Sequence, residues 1–524
     1  MAEVCPCSTR KPDMTEAWIV GSGIPALASA IYLVERAKLP PSHVHILDPH
    51  KSFSSALHQK GNSLTGYDQF AACLPIPAGR ELSQLLASIP STHVQGSILD
   101  EIKTTSSRRL AASHGSHPFF LIQRGNRLQN VPTDSLGLNM KYRIRLLHLL
   151  GRSDKHLGRN RIIDFFDEGF FESPFWAIWS AQFCFQPWHS AIELKHSLRQ
   201  YVTEYKTLDI LSCLDITGYY QHESLFLPIF WYLRRIQVDY QFDAKVLDIE
   251  LCTENTHCSA RKMKVLRHDE CSQQNLAASD IIIVTLGSLV SESLTGTRHR
   301  PPAWRDSGDI AEQLDESWSL WLSLANNNRG FGDPYNFCTR QAESTLESFT
   351  ITTRDMILVQ SLTSLVHPDN KAGTFISLQE SQWKINLCLP MEPVFPNQPQ
   401  DVLVFWGFAT FPARIGNYVQ KTMFQCSGHE ILNEILGHLS LHDLSPGEST
   451  ILIPRIMPRM TASLLTHAVG DRPNITPKGT CNIGLIGQFV ENSHRSSVDL
   501  SYGVHTAKTA VSMLMGLEYM LLGG

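Results

Sequence analysis

The chain has no long hydrophobic run, no excess of either charge and no ordered cysteine pattern, and each absence removes a class of protein. No apolar stretch reaches the roughly 18 residues that a membrane-crossing helix requires, and the opening Met1-Ala-Glu-Val-Cys-Pro-Cys7 lacks a hydrophobic signal region. Stable membrane insertion is not expected, and a cytoplasmic protein is. Lys and Arg number 45 against 50 Asp and Glu, so the net charge of -5 gives no electrostatic footprint for nucleic acid. The 12 cysteines lie scattered, and the close pair Cys5 and Cys7 sits in a segment that reads as disordered. Reduced core thiols are expected rather than disulfides, and no metal site is expected. No internal repeat or low-complexity tract interrupts the chain.

What is present is a long globular sequence with a nucleotide-binding opening. At 524 residues with 43% hydrophobic and 18% charged content, the chain exceeds one ordinary core and predicts two or three domains. The stretch Ala17-Trp-Ile-Val-Gly-Ser-Gly-Ile-Pro-Ala26, then an apolar helix pattern, then Val44-His-Ile-Leu-Asp48, reads as strand, glycine turn, helix, strand, acid. Gly21 permits the tight turn, Gly23 lets the backbone approach a pyrophosphate, and Ala26 allows close helix packing. The positive end of the helix favours phosphate charge, and Asp48 is placed to accept from ribose hydroxyls.

The same grammar returns twice. Asp280-Ile-Ile-Ile-Val-Thr-Leu-Gly-Ser288 predicts a buried strand entering a glycine turn, and Cys481-Asn-Ile-Gly-Leu-Ile-Gly-Gln-Phe489 repeats it before a helix from about Tyr502. One parallel sheet is expected to hold all three strands. Val238 to Glu250 alternates as a hairpin. Between these parts lies an aromatic region, Phe175-Trp-Ala-Ile-Trp179 and Gln182-Phe-Cys-Phe-Gln-Pro-Trp-His-Ser190, followed by a helix through Glu193 and Tyr201. These rings suit an apolar pocket and suit a packed core equally well.

The resulting fold class is α/β: an FAD-type Rossmann-like nucleotide-binding domain with an inserted, aromatic-rich α+β substrate domain. The expected division is 1–15 disordered, 16–115, 236–315 and 451–524 nucleotide-binding, 116–235 a helical aromatic substrate region, and 316–450 a substrate or cap domain.

Several segments resemble the oleate hydratase family, also called the myosin-cross-reactive antigen family. They are Val20-Gly-Ser-Gly-Ile-Pro-Ala-Leu-Ala28, Phe175 to Trp179 with Trp188-His-Ser-Ala-Ile-Glu193, Ser317-Trp-Ser-Leu-Trp321, Gly416-Asn-Tyr-Val419, Gly470-Asp-Arg-Pro473 and Ile486-Gly-Gln-Phe489. The resemblance implies an FAD-dependent hydration of an unsaturated fatty acid without net redox change, with a protonating tyrosine and a water-positioning glutamate. It also implies cofactor contacts at Gly21, Gly23, Ala26, Asp48, Gly487, Gln488 and Phe489.

Both implied catalytic groups are replaced in this chain. Aligned from Asp48 and checked at Ala87-Ser-Ile-Pro-Ser91, the glutamate position is Leu74, its neighbouring arginine position is Cys73, and the tyrosine position is Ser197. The glycines implied against the flavin are Ser54, Ser55 and Phe70-Ala-Ala72, so FAD retention and FAD loss both stay open. Gly79-Arg-Glu81 lies too late for the glutamate motif and reads as the first turn of the next helix. Tyr201, one turn beyond Ser197, reads as packing or as a relocated acid.

A non-redox isomerase or cyclase, of the pericyclic Diels–Alder kind included, acting on a hydrophobic unsaturated natural product is the leading expectation. The alternatives are a hydratase with relocated groups such as Glu81 and Tyr201, and a non-catalytic hydrophobic ligand binder. The catalytic candidates are Ser197, Tyr201, His189 and Tyr220, and the pocket candidates are Leu74, Trp179, Phe183 and Trp188. His189 is read alternatively as a core histidine paired with Glu193. The expected partner is a hydrophobic small molecule, with a homodimer left open.

Overall fold

The computed structural model describes residues 10–51, 60–68, 79–112, 119–125, 127–131, 138–204, 217, 219–254, 257–304, 314–365, 373–390, 393–441, 443–444, 447–492 and 495–517. Leu74, Cys73, Ser54, Ser55 and Phe70 to Ala72 lie outside them.

The expected parallel sheet forms, and its strands Ile281–Thr285 and Ile483–Ile486 are apolar runs buried on both faces, whereas Ala17–Val20 and the edge strand Asp239–Gln241 alternate between buried and half-buried residues. Its order is Ile483–Ile486, Ile281–Thr285, Ala17–Val20, Val44–Leu47, Asp239–Gln241. All three strand-glycine segments stand side by side, Trp18 in register with Ile282 and Ile282 with Ile483. Helix Ile24–Glu35 starts with Pro25 in its first turn, where a missing N–H costs nothing, and crosses from the first strand to Val44–Leu47.

The second body is an eight-stranded sheet. It runs Leu294–Thr295, Thr450–Met457, Leu346–Thr353, Leu403–Ala409, Ile385–Leu389, Thr374–Leu378, Phe119–Arg124, Arg127–Asn130. Side chains alternate across it with the period of two that a strand imposes. Phe120, Phe375, Cys388, Val404 and Trp406 meet the aromatic helices on one face. Leu121, Ile376, Leu387, Phe405, Phe349 and Ile351 meet helix Gly428–His438 on the other.

Four expectations are corrected. Val238 to Glu250 is not one hairpin: Asp239–Gln241 extends the parallel sheet, and Ala244–Glu254 opens a separate antiparallel sheet with His257–Arg267 and Glu270–Asn275. Asp243, at φ +53°, makes the turn between them. The boundary at 450 falls one strand early, because Thr450–Met457 pairs with Leu346–Thr353 in the substrate sheet. Helix Glu316–Asn327 belongs with the nucleotide-binding core, into which it sends Trp318 and Trp321. Residues 10–15 are structured, since Arg10 donates to the carbonyls of Ser279, Cys481 and Leu514 and so pins the start of the chain to the sheet.

Among the described residues no helix is long and apolar enough to cross a membrane.

Candidate functional site

The first strand has Val44–Leu47 on one side and Ile281–Thr285 on the other, so the chain reverses its winding at the carboxyl end of Ala17–Val20. An open α/β sheet binds ligands at such a point. Gly21 stands there with φ +119°, and its N–H donates to the Leu47 carbonyl at 3.0 Å. A Cβ on Gly21 would lie 2.7 Å from Thr285 Oγ1, so the neighbouring strand excludes any side chain. Gly23 caps helix Ile24–Glu35 with extended backbone and no side-chain cap, which leaves the first helical N–H groups free for an anion. Among the described residues a Cβ on Gly23 would meet only Pro25 Cδ, at 3.5 Å. Thr285 Oγ1 is buried beside this turn without a hydrogen-bond partner among the described residues.

The pyrophosphate part of a dinucleotide fits this cradle, whereas the remaining cofactor candidates have other employment. Asp48 is fully buried: its Oδ1 accepts from the N–H and Nδ1 of His50, each at 2.9 Å, and its Oδ2 accepts from the Tyr240 hydroxyl at 2.8 Å. The role expected of a ribose is thus filled by the chain itself. Burial, with Asp48 beside it, holds the Tyr240 phenol well above its ordinary pKa, so it stays a donor. Ala26 packs in the core. Gly487, at φ +104°, donates to Thr506 Oγ1 at 3.1 Å, and Gln488 is half-buried beside it. Phe489 points away into a ring cluster with Trp318, Trp321 and Phe337, at centroid distances of 4.8 to 5.6 Å, and is a core residue.

The aromatic region is closed rather than open. Trp179 is fully buried, 5.1 Å from Phe175, 5.2 Å from Phe183 and 5.5 Å from Tyr201 between ring centroids. Phe183 and Tyr201 touch at 5.3 Å. Trp188 stands apart, its indole N–H on the Glu343 carbonyl at 2.9 Å and its ring edge-on to Phe411. Tyr220 is half-buried at the margin of the cluster near Phe395 and Trp406, its N–H on the Val394 carbonyl. A small apolar cleft lies between the substrate sheet and helix Pro174–Phe183, lined by Phe120, Ala181, Phe375, Asn386, Cys388 and Phe408.

The polar candidates separate sharply. His189 precedes helix Ala191–Glu204 and does not pair with Glu193; its Nδ1 accepts from the Gln186 N–H at 3.0 Å. Burial pushes its pKa down to about 3, so it is neutral and no proton source. Glu193 is tied elsewhere. Its Oε1 meets Arg472 Nη1 at 2.9 Å, and its Oε2 accepts from the Ser497 hydroxyl at 2.8 Å. Burial acts to raise its pKa, but Arg472 together with His196, His467 and the Ser497 hydrogen bond outweighs that and holds it below the ordinary value. Arg472 also donates to the Ser463 carbonyl at 2.5 Å, so this buried pair clamps the aromatic helix to the segment after the substrate sheet. Ser197 is fully buried on the same helix, and its Oγ has no partner among the described residues. Glu81 sits in the first turn of helix Arg80–Ser88, as its spacing predicts, and both its oxygens receive Arg495 at 2.5 and 2.7 Å.

Residues 14–512 match the MCRA family. The chain belongs to that family. This MCRA protein is 30% identical over 532 residues to an oleate hydratase of Streptococcus pyogenes serotype M49 (strain NZ131), covering 97% of this chain and 87% of that one. It is 24% identical over 551 residues to a linoleate hydratase of Lactiplantibacillus plantarum, covering 96% and 94%. Its fold is similar to that of an oxidoreductase from Methanosarcina mazei, with a TM-score of 0.52 at 11% identity over 94% of this chain and 99% of that one. The α/β fold of this MCRA protein is thereby shared with a protein of little sequence likeness.

Two contacts of the MCRA chain escape a sequence reading, and a third left a trace in it. Tyr240 closing on Asp48 and Thr285 at Gly21 unite residues far apart in sequence, and no periodicity reports them. The Glu193 to Arg472 pair had a signal: an arginine in Gly470-Asp-Arg-Pro473 beside an apolar stretch, which is where a buried guanidinium needs a carboxylate. Among the described residues no group of three or more His, Cys, Asp or Glu stands close enough to hold a metal ion.

Proposed function

We propose that this protein is a non-redox enzyme acting on a hydrophobic unsaturated substrate, and that it isomerises or cyclises that substrate rather than hydrating it. The observation that carries the proposal is Ser197, buried with an unpartnered hydroxyl where the resemblance places the protonating tyrosine. An isolated alkene is a poor base, and its hydration needs a positioned acid. A serine hydroxyl is a far weaker acid than a phenol, whose ordinary pKa is about 10. Of the titratable groups nearby, His189 is neutral and Glu193 is ionised against Arg472.

What the residues supply instead is shape and one donor. Holding a polyene or terpenoid in a reactive conformation contributes several kcal/mol through orientation, on the order of 7–11 kcal/mol at best. The Ser197 hydroxyl, with no acceptor among the described residues, would donate to a substrate carbonyl and stabilise charge developing there. Phe120 and Phe375 of the substrate sheet, with Ala181 of helix Pro174–Phe183, line the apolar cleft described above.

FAD belongs to the same reading. Gly21, Gly23 and the uncapped helix would hold its pyrophosphate, with Thr285 Oγ1 as a nearby donor. When bound it supplies a rigid planar wall and a fixed charge distribution, without net electron transfer.

Hydration is the second reading, favoured by the 30% identity to an oleate hydratase across 97% of this chain. It requires relocated groups, and Glu81, the nearest glutamate in sequence, is engaged by Arg495. An alanine series at His189, Ser197, Tyr201 and Tyr220, assayed on a conjugated polyene with folding checked by circular dichroism, tests the proposal. Ser197→Ala lowers turnover at least tenfold while His189→Ala acts through stability; full turnover in all four variants places the reacting surface elsewhere. Purified protein that binds the polyene and never converts it identifies a ligand binder instead.

A further inference from the structure

Helix Met140–Gly151 has two apolar faces, and the fold uses one. Tyr142, Leu146 and Leu149 pack into the aromatic cluster. At 100° per residue, Met140, Ile144 and Leu147 lie together on the opposite side. They are 68%, 58% and 67% exposed. A helix that needs only one buried stripe has no folding reason to carry a second, and three large side chains on one outward strip form a patch that water disfavours.

The charged side chains of this helix are all basic. Arg143 flanks the strip on one edge, Lys141 and His148 on the other, with Arg145 behind them, and the helix contains no acid. Asp167 pairs with both Lys141, at 2.5 Å, and Arg145, at 2.9 Å, and so neutralises one of the two. Arg143 gives its Nε to the Leu138 carbonyl and keeps its charge outward. The net charge of the whole chain is -5, so this cationic border stands out against its own protein.

We infer that this face is a peripheral docking surface for an anionic lipid bilayer, the helix lying flat with Met140, Ile144 and Leu147 in the acyl boundary and its cations among the headgroups. An apolar strip bordered by Lys and Arg is the arrangement that partitions into a membrane interface without crossing it. The charge argues against the other occupant of an apolar strip, a second copy of this chain, because two identical cationic borders would repel across a two-fold axis. The helix rests on the aromatic cluster, so docking brings the hydrophobic body of the protein to the surface where apolar molecules dissolve. The inference does not depend on which reaction the protein performs.

The test is co-sedimentation of the full chain with large unilamellar vesicles of phosphatidylcholine alone or with 30% phosphatidylglycerol. Binding is expected on the anionic vesicles, weaker by at least tenfold on the neutral ones and reduced by 0.5 M salt. The exposed double substitution Ile144→Asp with Leu147→Asp should lower partitioning more than tenfold with an unchanged circular dichroism spectrum. Arg143→Gln alone should lower it about fivefold, the contribution of one cation near an anionic surface. Equal binding by the parent and both variants, or no binding to anionic vesicles, overturns the inference. So does a dimer that the aspartate pair converts to monomer while vesicle binding persists, since the strip would then be covered by a second copy.

Discussion

The carboxyl edge of the parallel sheet and the aromatic body of the inserted region were both read as binding surfaces, and they differ in how far their polar and apolar groups are already satisfied. At the sheet edge, Gly23 gives the helix no side-chain cap, and Thr285 Oγ1 has no partner among the described residues. In the aromatic body, Trp179, Phe183 and Tyr201 are nearly enclosed by one another. A surface that needs a ligand leaves groups unfinished, and a core does not. The aromatic body is not wholly finished either: the Ser197 hydroxyl and the indole N–H groups of Trp179 and Trp406 are buried without a partner among the described residues.

The largest expected effect tests the clamp that holds the aromatic helix to the segment after the substrate sheet. Arg472→Met leaves Glu193 as an uncompensated buried charge and should cost about 3–5 kcal/mol in urea unfolding. Adding Glu193→Leu should restore most of the loss; a double variant as unstable as the single one would show that the ionic pair is not the cause.

Next comes the closed body itself. Trp179→Ala should cost about 3 kcal/mol or more, as for a large ring removed from a core. A loss under 1 kcal/mol with weakened ligand binding would make Trp179 a pocket wall and erase the contrast.

At the sheet edge the two glycines should behave differently. Gly21→Ala should cost about 1–3 kcal/mol, because its positive φ and the Thr285 contact strain any side chain. Gly23→Val should leave stability within about 1 kcal/mol while abolishing retention of flavin, read from the visible spectrum. Unchanged flavin in that variant contradicts the cradle.

The smallest effect is in pH. Burial depresses His189 to about 3 and His222 and His467 to about 4. The unfolded chain therefore takes up more protons than the folded one below about pH 6.5. Stability from these groups is complete above that pH and falls as it drops toward 3 to 4, by about 1.4 kcal/mol per pH unit for each histidine. His189→Gln should reduce the slope between pH 6 and 4.5 by one proton; an unchanged slope would mean that His189 is solvated.

Legibility followed the range of the interactions involved. The βαβ opening, the three parallel strands and the Glu81 helix turn were readable because each is encoded within a short window by burial pattern and glycine placement. The split at Asp243 was not, since alternation continues through it while the partner strand changes. Strand Thr450–Met457 was assigned to the wrong body because an apolar run does not name the sheet it joins. In the site, Gly21 and Gly23 were legible from their turn. The satisfaction of Asp48 by Tyr240, and of Glu193 by Arg472 rather than His189, depends on contacts hundreds of residues apart.

The central claim is that this member of a hydratase-containing family does not hydrate. Its most direct test is incubation of the purified, flavin-supplemented protein with oleate in water enriched in oxygen-18, with the products analysed by mass spectrometry. The account predicts unchanged oleate and no labelled hydroxy acid; steady accumulation of oxygen-18 hydroxy acid would contradict it.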